Sequence, residues 1–107
     1  MSLEIGSIAE ERVTRYLQAQ GYTIIDRNFH SRFGEIDIIA EKDSVLDFIE
    51  VKYSKAYDPL YRITPKKMDK IIKTIQYFLM LHPQDKDYQI SAALVNDETI
   101  EFLENIS

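Results

Sequence analysis

The sequence predicts an α/β fold in which one mixed sheet lies between two helices, in the order α-β-β-β-α-β-β. Three observations predict it. Two stretches carry apolar residues at spacings of three and four, the period of a helix with one buried face. Five runs are rich in β-branched and aromatic residues and are separated by turn signals. The chain has 107 residues, enough for one core and little more, so residues 1–107 are expected to form one domain. A three-stranded meander with a helix on either side of it in sequence buries its apolar surface best between those helices.

The first helix is expected over Ile5–Gln20, where Ile5, Ile8, Ala9, Val13, Tyr16 and Leu17 form a stripe and Gly21 follows as a cap. Strands are expected over Tyr22–Phe29, Phe33–Glu41 and Val45–Tyr53, with the four polar residues Glu41 to Ser44 as the turn between the second and third. Ser54–Ile63 has no clean period and reads as a loop. Thr64-Pro65 marks a helix start, because threonine caps and proline suits the first helical position. Met68, Ile71, Ile72, Ile75, Phe78 and Leu79 then form an apolar face that ends at His82-Pro83. Tyr88–Asn96 and Thr99–Leu103 are the last two strands.

Composition excludes several classes. No cysteine is present, which removes disulfides and thiolate-bound metal. No apolar run approaches the roughly eighteen residues of a membrane span, and no signal-peptide pattern opens the chain, so a cytoplasmic protein without membrane contact is expected. With two distant histidines, His30 and His82, a histidine-based metal cluster is not expected. His82 reads as a helix-end residue and His30 as a turn residue. The net charge of −5 counts against gripping nucleic acid by bulk charge, but charge is segregated along the chain. Lys66, Lys67, Lys70 and Lys73 crowd one helix, following Lys52, Lys55 and Arg62.

Strand alternation puts Glu35, Asp37 and Ile39 on one face of the second strand and Leu46, Phe48, Glu50 and Lys52 on one face of the third. With the four-residue turn, Ala40 pairs with Val45 and Asp37 lies opposite Phe48. Asp37 and Glu50 then become diagonal neighbours on one surface with Lys52. Two carboxylates offering oxygen ligands suit a hard cation such as Mg²⁺ or Mn²⁺, which polarises a phosphodiester oxygen and lowers the pKa of bound water. A nearby lysine orients that water or stabilises developing negative charge. The competing reading is a set of salt bridges on a half-exposed sheet. It is weakened because Asp37 sits in Ile36-Asp37-Ile38-Ile39, where a central strand needs such a charge paired.

Gly34-Glu35-Ile36-Asp37-Ile38-Ile39-Ala40, followed by Phe48-Ile49-Glu50-Val51-Lys52, resembles the core motif of the PD-(D/E)XK nuclease superfamily. Gly6-x-x-Ala9-Glu10 with Tyr16-Leu17, Gly21-Tyr22, Arg27-Asn28 and Thr64-x-x-Lys67 bring the chain closer to the YraN-like family of small bacterial endonucleases, akin to archaeal Holliday-junction resolvases. The resemblance spans nearly the whole chain. It implies a restriction-endonuclease-like fold, Asp37 and Glu50 as metal ligands with the Val51 carbonyl a third, Lys52 as the catalytic lysine, and Glu10 as the helical acid supporting the metal. Glu10 fits that place, lying roughly 20° beyond Leu17 at the edge of the stripe, whereas Glu4 and Glu11 point away. Glu35 matches the family without an assigned role.

Lys67 lies beside the apolar face of the second helix, where helix-terminal donors and a lysine make a phosphate seat. Lys66, Lys70 and Arg62 are further candidates for nucleic-acid contact, a solvated basic face being the alternative. Tyr53, Tyr57 and Tyr61 are candidates for stacking on bases, or for core packing. Asp47 stands where an apolar strand residue is expected, on the face opposite Glu50. The function these residues favour is a Mg²⁺- or Mn²⁺-dependent endonuclease acting on DNA, branched or repair intermediates included. The alternative is a nucleic-acid- or partner-binding module without turnover. Oligomeric state, a homodimer included, is not legible in the sequence.

Overall fold

The computed structural model describes residues 2–55 and 61–106, with side chains described from Ile5 onward; Tyr57 and the side chain of Glu4 lie outside the described residues. The elements are α1 (Ser2–Ala19), β1 (Thr23–Ser31), β2 (Gly34–Lys42), β3 (Val45–Tyr53), α2 (Pro65–Leu81), β4 (Asp87–Val95) and β5 (Ile100–Leu103). The chain is therefore α/β in the expected order. Its strands form one sheet in spatial order β1-β2-β3-β4-β5. Only the β3–β4 pair is parallel, because α2 carries the chain back across the sheet between them.

Each helix covers one face. Ala9, Val13 and Leu17 of α1 pack on Ile38, Ala40, Ile49, Ala93 and Val95. Ile71, Ile75 and Phe78 of α2 pack on Ile36, Ile39, Leu46, Phe48 and Ile90. The central strand β3 is covered on both sides, so residues 46–50 are all buried and its middle reads as a continuous run rather than an alternation.

The helix ends follow from local chemistry. Gly21, at φ 94, closes α1 in a Schellman motif: Tyr22 N–H bonds Leu17 O at 2.9 Å and Gly21 N–H bonds Gln18 O at 3.1 Å. Thr64 caps α2, its Oγ1 accepting from Lys67 N–H at 3.2 Å, with Pro65 next and His82 at the C-cap.

The turn between β2 and β3 differs from expectation. Lys42 pairs with Val45, so the turn is the two residues Asp43 and Ser44, at φ 52 and 65. Both left-handed angles suit a tight hairpin whose twist matches its strands. Glu41 and Lys42 belong to β2: Glu41 meets Lys86 Nζ at 2.9 Å, and the Lys42 ammonium lies 5.3 Å from the Tyr22 ring centroid. The register moves by two residues, an even shift that keeps Ile39 on the same face as Leu46 and Phe48. β1 also runs on to Ser31, so His30 is a strand residue and not a turn residue.

Candidate functional site

β2 and β3 pair from Lys42↔Val45 to Ile38↔Ile49. One residue further, this register sets Asp37 against Glu50 rather than diagonal to it. There the two strands part, and Asp37 Oδ2 accepts the Val51 N–H at 2.8 Å. A side-chain oxygen thus satisfies a strand N–H that the ladder no longer serves.

Alternation also breaks at this point. Ile38 packs under α1 and Ile36 under α2, although residues two apart in a regular strand share a face. β1 flips in step. Arg27 Nη1 reaches Glu11 of α1 at 2.9 Å, while the Phe29 ring meets Phe78 of α2 at 5.2 Å. Between them Asn28 takes φ 53, a left-handed angle that asparagine tolerates better than most residues. The expectation that Glu35, Asp37 and Ile39 share one face is corrected accordingly. Ile39 lies under α2, whereas Glu35 and Asp37 turn toward Glu10 of α1.

Glu10, Glu35 and Asp37 each place a carboxylate oxygen within 4.8 Å of the others. Burial raises the Asp37 pKa to about 7, and the Glu50 charge adds to the rise; the Val51 N–H pulls it down, and Glu10 and Glu35 push it up again. Glu50 is only 8% exposed. Its Oε2 lies 3.3 Å from Lys67 Nζ, and its Oε1 is buried with no hydrogen-bond partner among the described residues. Burial raises the Glu50 pKa, against the pull of Lys67, while Glu50 raises that of Lys67. The half-buried Tyr61 hydroxyl is raised by burial and then by Glu50. Among the described residues four carboxylates thus share one end of the sheet, with Lys67 facing Glu50 and Arg27 Nη2 standing 3.9 Å from Glu10. Such a set suits an added cation that takes oxygen ligands.

The other sequence candidates divide. Lys52 is exposed and has no ion-pair partner among the described residues, so the lysine that meets Glu50 is Lys67. Val51 enters through its N–H. Lys66 and Lys70 are exposed on the first turns of α2, and the exposed Arg62 leads into that helix. Lys73 pairs with Asp69 at 3.1 Å. The exposed His30 lies 3.6 Å from Glu35 through Nδ1. Tyr53 packs under α1 and bonds Asp97.

Glu35 and Arg27 are the members that sequence reasoning placed least well. The signal for Glu35 was its spacing of two from Asp37. Glu11 lies off the apolar stripe of α1, yet it meets Arg27 Nη1 at 2.9 Å because the edge strand β1 carries that arginine across to it.

A family model described as "Uncharacterised protein family UPF0102" matches residues 9–97, a span containing Glu10, Asp37, Glu50, Lys52 and Lys67. A UPF0102 protein of a Nitratiruptor species is similar, with 47% identity across 96% of this chain and 92% of its own length. UPF0102 proteins of Campylobacter hominis and Campylobacter fetus subsp. fetus are 49% and 46% identical, across 97% and 95% of this chain and 94% and 92% of theirs. Together with the motifs that resemble the YraN-like family, this match places the chain in the uncharacterised protein family UPF0102.

Proposed function

We propose that this protein is a metal-dependent endonuclease that hydrolyses phosphodiester bonds of DNA, branched and repair intermediates among its substrates. The observation that carries the reading is Glu50 Oε1, a buried carboxylate oxygen without a hydrogen-bond partner among the described residues, beside the Glu10–Glu35–Asp37 cluster. A buried acid is costly unless it is neutralised or coordinated, and an oxygen-liganded divalent cation does both. Asp37 and Glu50 are the residues that would hold the ion, with the Val51 carbonyl, while Glu10 and Glu35 add negative charge around it. When bound there, Mg²⁺ or Mn²⁺ supplies a Lewis acid for the phosphodiester and a more acidic water.

The chain's own residues contribute orientation and charge. The Val51 N–H holds Asp37 Oδ2, leaving Oδ1 for the cation. Lys52, two residues past Glu50 and free of ion pairs among the described residues, presents its ammonium to the developing charge on the phosphate. Lys66, Lys67, Lys70 and Arg62 line the approach with positive charge.

The test is cleavage of linear, single-stranded and four-way-junction DNA with Mg²⁺, Mn²⁺ or chelator. Wild type should cut with metal and not with chelator. Asp37→Asn should remain folded, bind DNA and cut nothing, and Lys52→Ala should lose turnover while still binding Mn²⁺. Wild type that binds DNA and cuts none of the three substrates with either metal would leave a binding module in place of an enzyme.

A further inference from the structure

Glu50 has a cationic neighbour already. Lys67 Nζ sits 3.3 Å from its Oε2, and the Lys67 side chain is 55% exposed against 11% for that of Glu50. The two partners are thus unequally free. Glu50 is fixed in the central strand between two helices, while Lys67 rises on a flexible four-carbon stem from the first turn of α2. The backbone at that turn is pinned, because Lys67 N–H bonds Thr64 Oγ1 at 3.2 Å and Pro65 sets the helix start. Only the side chain has to move for the ammonium to leave Glu50. On the other side of the cluster Arg27 is engaged with Glu11 at 2.9 Å and stands 3.9 Å from Glu10. Lys52 has no ion pair among the described residues.

We propose that Lys67 is a stand-in counter-ion: its ammonium holds Glu50 in a ligand-ready position before a divalent cation binds and gives way when the cation arrives. This rests on the metal-binding reading above. Lys67 is a positioning residue in this role, acting through Glu50. Two positive charges compete for one carboxylate, so the lysine keeps the buried acid tolerable without metal and weakens metal binding. The displaced ammonium is then available to a phosphate of the DNA.

The experiment compares wild type, Lys67→Met and Lys67→Arg by thermal unfolding in chelator and across a Mn²⁺ titration, with Mn²⁺ affinity measured by calorimetry. Lys67→Met should melt below wild type in chelator, bind Mn²⁺ at least about fivefold more tightly, and show the larger rise in melting temperature on saturation. Lys67→Arg, which keeps the charge, should restore wild-type behaviour in both measurements. Equal Mn²⁺ affinity in wild type and Lys67→Met, with the same loss of melting temperature in chelator and in Mn²⁺, would make Lys67 merely structural and overturn the inference. If Lys67→Met does not fold, Lys67→Gln takes its place with the same expectations. Wild type that binds no Mn²⁺ overturns the metal reading itself, and the inference with it.

Discussion

Asp37 concentrates the energetic conflict of this molecule at a single residue. Its carboxyl is raised from 3.8 to about 7 by burial and by Glu50, so the folded protein keeps a proton that the unfolded chain releases. Stability therefore falls as pH rises from about 4 to about 7, and stays reduced above that range. Glu50 and Asp47, both raised by burial, act in the same direction. In chelator, Asp37→Asn should flatten this fall and leave the variant more stable than wild type at pH 8, as read from urea midpoints. Asparagine keeps an oxygen for the Val51 N–H and loses only the charge. A variant no more stable than wild type at pH 8 would mean that the cluster costs the fold nothing. Asp47, the acid at an apolar strand position, is only 1% exposed, and Gln89 Nε2 donates to its Oδ2 at 2.8 Å, so burial on the α1 side is softened by a cross-strand amide.

At the scale of elements, the β2–β3 hairpin decides where the carboxylates meet. A two-residue turn sets Asp37 against Glu50, while a four-residue turn would have set it against Phe48. Ser44 takes the left-handed φ of 65 without being glycine, at a cost of roughly 1–2 kcal/mol. Ser44→Gly should relieve that strain, less the extra chain entropy of glycine, for a net gain of about 0.5–1 kcal/mol in denaturant unfolding. Destabilisation by this change would show that the Ser44 side chain matters more than its backbone angle. β1 and β2 flip together at Asn28 and Asp37, and this paired irregularity gives α1 access to Asp37 through Glu10.

Across the whole molecule, the two helices bring opposite contributions to one end of the sheet. α1 supplies Glu10 and α2 supplies Lys67, so the acid cluster is bordered by a basic turn although the chain carries a net charge of −5. No helix among the described residues is long and apolar enough to cross a membrane. If Lys66, Lys67, Lys70 and Arg62 meet phosphates, DNA affinity measured in Ca²⁺ should fall steeply with salt. Replacing Lys70 by alanine should lower the slope of log affinity against log salt by about 1 if its ammonium neutralises one phosphate. An unchanged slope would assign Lys70 to a solvated surface.

The sequence by itself determined the order and type of the elements, because helix and strand periods are local and each apolar stripe needs a sheet face to cover. Thr64-Pro65 and Gly21 marked helix ends for the same reason: caps and left-handed stops act within one turn of chain. The common side of Leu46, Phe48 and Glu50 was legible too, since strand parity survives an even error in register. Other features waited for the tertiary structure. Asp43-Ser44 carries no glycine to announce a tight turn, and the polar Glu41 and Lys42 extend β2 because distant Lys86 and Tyr22 receive them. The flip at Asn28 and Asp37, the approach of Glu10 to Glu35, and the choice of Lys67 over Lys52 as partner of Glu50 each depend on how the helices seat on the twisted sheet. Those contacts join residues far apart in sequence, and no local pattern of apolar spacing records them.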